Sequence, residues 1–116
     1  MSLKITSSQR TPGLFVVSLD GSLKYDTCTI LQEEINLTLA ASPKMIVFDM
    51  DRLEFLSSAG VREIIKVRKA MKEKDGEVTF MNFQPQVKRV LEIINLIPEV
   101  KDFNSMEELE EYFRTV

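Results

Sequence analysis

Histidine is absent from the 116 residues of this chain. That removes the commonest general base and the commonest transition-metal ligand, and argues against a hydrolytic triad or a zinc centre. Cysteine occurs once, at Cys28, so the chain has no disulfide framework of its own and suits a reducing cytoplasm. No glycine-rich phosphate loop is present, which weakens the reading of a nucleotide-binding, flavodoxin-like enzyme. Positive charge is not in excess either. A net charge of −3 and a pI near 5.0 offer no concentrated positive field for neutralising a nucleic-acid backbone. No apolar run approaches the ~18 residues needed to span a bilayer, and residues 1–10 lack the apolar stretch of a secretory signal. The expectation is a soluble cytoplasmic protein with no cofactor, no metal, and neither nucleic acid nor membrane as a partner.

What is present suffices for one domain, residues 1–116, able to bury roughly 65% of its unfolded surface. Residues 3–7 form a short candidate strand and Gln9-Arg10-Thr11-Pro12-Gly13 a turn. Residues 14–20 alternate Phe15, Val17 and Leu19 against positions ending in Ser18 and Asp20, and two strands around a short turn predict an antiparallel hairpin at one margin of a sheet. Residues 21–24 read as a loop, with Asp26 as N-cap of a helix to about Ala41 whose stripe is Cys28, Leu31, Ile35 and Leu39. Residues 78–83 read as a strand. Pro85 then opens a helix with Val87, Val90, Leu91 and Ile94 at i, i+3, i+4 and i+7, broken at Ile97-Pro98. Residues 100–103 form a last short strand, and Ser105 with Glu108 forms a capping box for a helix facing inward through Leu109, Tyr112 and Phe113. The alternation of strand and helix from Leu14 onward predicts a mixed, mostly parallel α/β sheet of about five strands with four main helices.

The stretch at 44–74 organises the chain. Met45-Ile46-Val47-Phe48 reads as a buried strand over 45–50, followed by a polar link over 51–56. Ser57 and Ser58 then open a long helix carrying Val61, Ile64, Ile65 and Met71 near helical spacing, stopped at Asp75-Gly76. At such a join either serine can serve as the cap for unpartnered helical N–H groups. A hydroxyl there can equally be held at a positive helix end, where an attached phosphate is electrostatically favoured. Gly60 is either an ordinary first-turn glycine or a point of close approach for a partner's backbone.

The strand with its Asp49, the spacer Arg52-Leu53-Glu54 and then Phe55-Leu56-Ser57-Ser58-Ala59-Gly60-Val61-Arg62 resemble the signature of the STAS domain, the fold of bacterial anti-sigma factor antagonists. The likeness covers nearly the whole chain. It implies a phosphoryl-accepting serine at Ser58, with Ser57 as the alternative. It implies a partner-binding surface of Ser57, Ser58, Ala59, Gly60, Arg62, Lys66, Lys24 and Asp26. Its partners would be an anti-sigma factor of the serine-kinase type and a serine phosphatase, and the chain itself would not be an enzyme. Two positions that the family usually fills with acids hold Ser57 and Lys24 here, and Asp20 and Asp26 are the nearby carboxylates that would compensate. That departure keeps open a second reading, a structural STAS-like subunit of a signalling scaffold or lipid-transport complex that is never phosphorylated. Because the family also occurs as tails of anion transporters, this chain, if complete, would be a free member. Weak self-association into a homo-oligomer stays open.

Charge is segregated. Over residues 58–74 six basic side chains oppose Glu63 and Glu73, and from 99 to 114 six acids oppose Lys101 and Arg114. Such runs are usually solvated faces. Arg62, Lys66 and Lys69 nevertheless share one side at i, i+4 and i+7, beside the serines, as a docking stripe for an acidic partner. Asp49, Asp51 and the loop from Asp20 to Asp26 would collect with the serines outside the carboxyl ends of the strands. Three carboxylates could in principle hold magnesium, but Asp49 fits equally as a residue bonding local backbone.

Overall fold

A computed structural model describes residues 2–93 and 102–115. Five strands form one sheet in the order β1-β2-β3-β4-β5: β1 (Leu3–Thr11), β2 (Leu14–Leu23), β3 (Met45–Leu56), β4 (Glu77–Met81) and β5 (Asp102–Phe103). β1 and β2 pair antiparallel around Pro12-Gly13, and every other pair is parallel. The helices are α1 (Cys28–Ala40), α2 (Ser58–Glu73), α3 (Pro85–Ile93) and α4 (Met106–Thr115). Ile94 and the expected break at Ile97-Pro98 lie outside the described residues.

The two faces of the sheet are covered unequally. Val17, Leu19, Ile46, Phe48, Val78 and Phe80 pack with apolar residues of α1, α2 and α3 into one cluster. The opposite face, through Leu14, Val16, Met45, Val47, Met81 and Phe103, packs, among the described residues, against Leu109 and its neighbours on α4. The strand period of two sends alternate residues to these two layers, so the central strands read as continuous apolar runs.

Four boundaries differ from the sequence reading; the first is that of β1, which continues through the expected turn residues Gln9 to Thr11 because they pair with the start of β2. Residues 51–56 are not a link, because β3 continues to Leu56. Pairing with β2 shifts register between Ser18 and Asp20 and again between Gly21 and Ser22, and at each shift β3 contributes one extra residue. Two bulges thereby convert a period of two into a period near three, and Met50, Leu53 and Leu56 all reach the three-helix layer. β2 likewise runs on through the expected loop to Leu23. Gly21 makes this possible: with φ +118° it lies where a Cβ would meet the Ser2 carbonyl oxygen at 2.1 Å, so only glycine lets β1 come this close. β4 stops at Met81 rather than Phe83, because Asn82 is in the left-handed region at φ 61°.

Helix ends follow sequence chemistry. Ser105 Oγ accepts from Glu108 N at 3.1 Å, as a capping serine should. α2 closes with Asp75 N donating to Lys72 O and Gly76 N to Met71 O at 2.7 Å. This is a Schellman closure in which Asp75, at φ 59°, takes the left-handed position rather than Gly76.

Candidate functional site

The site is built where β2 and β3 end side by side, Leu23 opposite Leu56. Ser57 N donates to Leu23 O at 3.0 Å, which fixes the start of α2 against the end of β2. Ser57 is the N-cap: its backbone is extended and its Oγ accepts from Gly60 N at 3.2 Å. That leaves Ser58 as the first helical residue, exposed, with no hydrogen bond to its hydroxyl among the described residues. The two serines therefore divide the roles that the sequence left open. Ser57 satisfies an orphan N–H and is half-buried, while Ser58 presents an uncommitted hydroxyl at the positive end of a 16-residue helix.

Gly60 is buried and needs its missing Cβ for internal packing. A Cβ there would lie 2.6 Å from Leu23 O, 2.8 Å from Leu23 Cγ and 2.9 Å from Leu56 Cδ1. The close approach seen at Gly60 is that of the chain's own β2, so the glycine is required for internal packing.

Asp26 is not the N-cap of α1; Thr27 stands there. Thr27 is 4% exposed, and its Oγ1 accepts from Lys24 N at 2.9 Å and lies 2.8 Å from Ser22 O, to which it donates. It closes the turn of residues 24–27, on which Lys24 Nζ reaches Asp26 Oδ1 at 3.5 Å. Tyr25, Asp26, Ala59, Arg62 and Lys66 then line a groove of about 440 Å³ between the starts of α1 and α2. Of the expected contact residues, the structure thus gathers Asp26, Ala59, Arg62 and Lys66 around one groove beside Ser58. Lys66 is engaged by the nearly buried Glu63 at 3.2 Å, and Glu63 also accepts from Gln32 Nε2 at 2.6 Å, which ties α2 to α1. Cys28 sits at the groove floor, its thiol pKa pushed up by burial and then by the Glu63 carboxylate nearby.

Asp20, Asp49 and Asp51 do not join the serines. They line a separate depression of about 350 Å³ on the open sheet face beside β1, together with Lys4, Thr6, Ser18 and Arg52, and neither serine borders it. Asp49 Oδ1 accepts from Asp51 N at 3.1 Å and Asn82 Nδ2 at 3.3 Å, so it bonds local backbone and a neighbouring strand end. No group of three acidic or cysteine side chains able to hold a metal ion occurs among the described residues. Nor is any described helix long and apolar enough to cross a membrane. The sequence reading missed Tyr25 and Thr27. Thr27 carried a signal, a hydroxyl directly before the apolar stripe of α1, whereas nothing in a linear pattern marks an aromatic side chain left in water.

A mixed, mostly parallel sheet with a serine pair heading its central helix is the arrangement of a known class. The family model for the STAS domain matches residues 6–109, and the chain belongs to that family. Among its relatives, BtrV of Bordetella bronchiseptica, named as a candidate anti-sigma factor antagonist, is 26% identical over 113 residues, 97% of each chain. The anti-sigma F factor antagonist of Paenibacillus polymyxa is 25% identical over 103 residues, 84% of this chain and 88% of its own. The solved structure of the anti-sigma factor antagonist SpoIIAA in its unphosphorylated form superposes with a TM-score of 0.85 over 97% of this chain and 98% of that one. At 20% identity that likeness speaks for the fold alone.

Proposed function

We propose that this chain is an anti-sigma factor antagonist switched by phosphorylation of Ser58. In its unmodified form it binds an anti-sigma factor of the serine-kinase type in the cytoplasm and frees the sigma factor that the anti-sigma factor holds. The observation that carries the reading is the exposed, uncommitted Ser58 hydroxyl at the first position of α2, with Ser57 occupied as its cap. The full-length relatives named for this activity support it. The chain is the substrate and ligand, and chemistry belongs to its partners. The kinase forms a bond from Ser58 Oγ to the γ-phosphorus of ATP as the bond to the β-phosphate oxygen breaks; ADP leaves and the hydroxyl proton passes to the kinase. A serine phosphatase reverses the step by hydrolysis.

The fold need not change for binding to change. Phosphate adds about −1.5 to −2 charges at the start of α2. Within this protein the helix dipole and Arg62, one turn on, make that charge tolerable. Against a partner surface shaped for a neutral hydroxyl, the same charge must be desolvated. A 100-fold loss of affinity needs only ~2.7 kcal/mol. The exposed Arg62 and Lys69 offer the outer face of α2 to acidic groups of the partner, with Lys66 shared between that face and Glu63. Incubation with ATP and the serine kinase, read by intact mass, is expected to add one phosphoryl group to wild type and none to Ser58→Ala, while Ser58→Asp weakens binding. Unchanged phosphorylation of Ser58→Ala would move the acceptor to Ser57.

A second reading, a structural subunit that is never phosphorylated, draws on Ser57 and Lys24 standing at the family's acidic positions. The two carboxylates that line the groove, Asp26 and Glu63, are each paired with a lysine, Lys24 and Lys66. Absence of any phosphoryl transfer in the same assay would favour this reading.

A further inference from the structure

We propose that the turn of residues 24–27 is a second contact element of the partner interface, with Tyr25 as its aromatic anchor and Thr27 as the positioning residue that holds it. This rests on the function proposed above. Tyr25 is 85% exposed, the most exposed of the large apolar side chains among the described residues. An aromatic left in water on a rigid support fits an interface anchor, because it loses little side-chain entropy and buries much area when covered.

The support is unusually well bonded for a four-residue turn. Besides its bonds to Lys24 N and Ser22 O, Thr27 Oγ1 lies 3.2 Å from Lys24 O, and the amides of Thr27 and Cys28 both donate to that same carbonyl at 3.0 Å. The residue before the turn, Leu23, accepts the Ser57 amide. Turn and helix start are therefore one unit, and a partner covering Ser58 meets Tyr25 across the groove that Ala59 and Arg62 line. Arg62 is exposed and makes no ion pair among the described residues, whereas Asp26 is paired with Lys24. The surface beside Ser58 thus offers an aromatic ring and a free guanidinium. Its complement is an apolar pocket rimmed by a carboxylate on the serine-kinase anti-sigma factor.

The test titrates the unphosphorylated protein into the anti-sigma factor kinase that phosphorylates it, by calorimetry, with amide hydrogen exchange at Lys24 as a readout that needs no partner. Tyr25→Ala, a surface change that leaves the core untouched, is expected to weaken binding about tenfold to thirtyfold. Thr27→Val removes only the hydroxyl bonds. It should release the Lys24 amide to exchange about tenfold faster or more, and weaken binding to a similar degree. Thr27→Ser, which keeps those bonds, should restore both. The inference is overturned if Tyr25→Ala binds as wild type does. It is overturned equally if Thr27→Val frees the Lys24 amide without loss of affinity, or if Thr27→Ser binds as poorly as Thr27→Val. If wild type neither binds the kinase nor accepts phosphate, the proposed function itself fails and this inference with it. That outcome is distinct, because the Lys24 amide still responds to Thr27→Val.

Discussion

Adding a single methyl group at Gly60 tests the packing on which the site depends. In most helices a glycine-to-alanine change is favourable by up to ~1 kcal/mol, because alanine orders more cheaply. At Gly60 the new Cβ would stand 2.6 Å from Leu23 O and under 3 Å from the Leu23 and Leu56 side chains. The Leu56 methyl can turn aside, but the Leu23 carbonyl is backbone and is held by the Ser57 amide at 3.0 Å. Overpacking of this kind costs ~1–3 kcal/mol, and losing the Ser57 bond costs ~1 more, so the propensity gain is outweighed. The expected net effect is a destabilisation of about 2 kcal/mol, which at a urea dependence of ~2 kcal/mol per molar lowers the unfolding midpoint by about 1 M. The Ser57 amide should also lose protection from hydrogen exchange ahead of the rest of α2, since the contact acts on its acceptor. Equilibrium urea unfolding with residue-resolved exchange reads both. A Gly60→Ala protein as stable as wild type or more so, with Ser57 still protected, would refute the account of Gly60 as a packing residue.

The other predictions concern separate groups. Ser57→Ala removes the cap on Gly60 N and should cost ~1 kcal/mol in urea unfolding, whereas Ser58→Ala, with no bond to lose, should stay within ~0.5 kcal/mol; equal costs would contradict the division of roles. Tyr112 donates to both carboxylate oxygens of Glu77, at 2.8 and 2.6 Å, and burial followed by that carboxylate pushes its pKa up to about 12 from 10.0. Because the folded-state value lies above the unfolded one, its contribution is fully present below pH 10 and is lost as pH rises from 10 to 12. Thermal unfolding across that range should show a loss that Tyr112→Phe lacks. Cys28, buried and with its thiol pKa raised, should react with a thiol reagent far more slowly in the native protein than in urea, and a native rate equal to the unfolded one would contradict its burial.

Much of the fold was legible because its signals are local. The apolar run at 45–48, the spacing of Val61, Ile64 and Met71, the Pro85 start and the Ser105 cap each depend on neighbours within a turn or two. The second half of β3 was not legible, because Met50, Leu53 and Leu56 are spaced like one face of a helix. Only the paired β2, by imposing two register shifts, makes that spacing consistent with a strand. The same holds for Gly21, which looks like a loop residue until Ser2 is placed against it.

The site divides in the same way. By itself the sequence determined that a hydroxyl pair heads the central helix and that basic residues follow it at i+4 and i+8 from Ser58, because helix periodicity and capping are properties of a short segment. It could not decide which serine caps, since that depends on the Leu23 carbonyl reaching over from a different strand to hold Ser57. Nor could it decide which carboxylates accompany the serines. The strand period and its two bulges send Asp20, Asp49 and Asp51 to the open face, while the turn closed by Thr27 keeps Asp26 and Tyr25 at the groove. The turn itself closes locally, but its place beside Ser58 and the gathering of Asp20 with Asp49 come from pairing β2 with β3, segments about 30 residues apart, and only the folded chain brings such segments together.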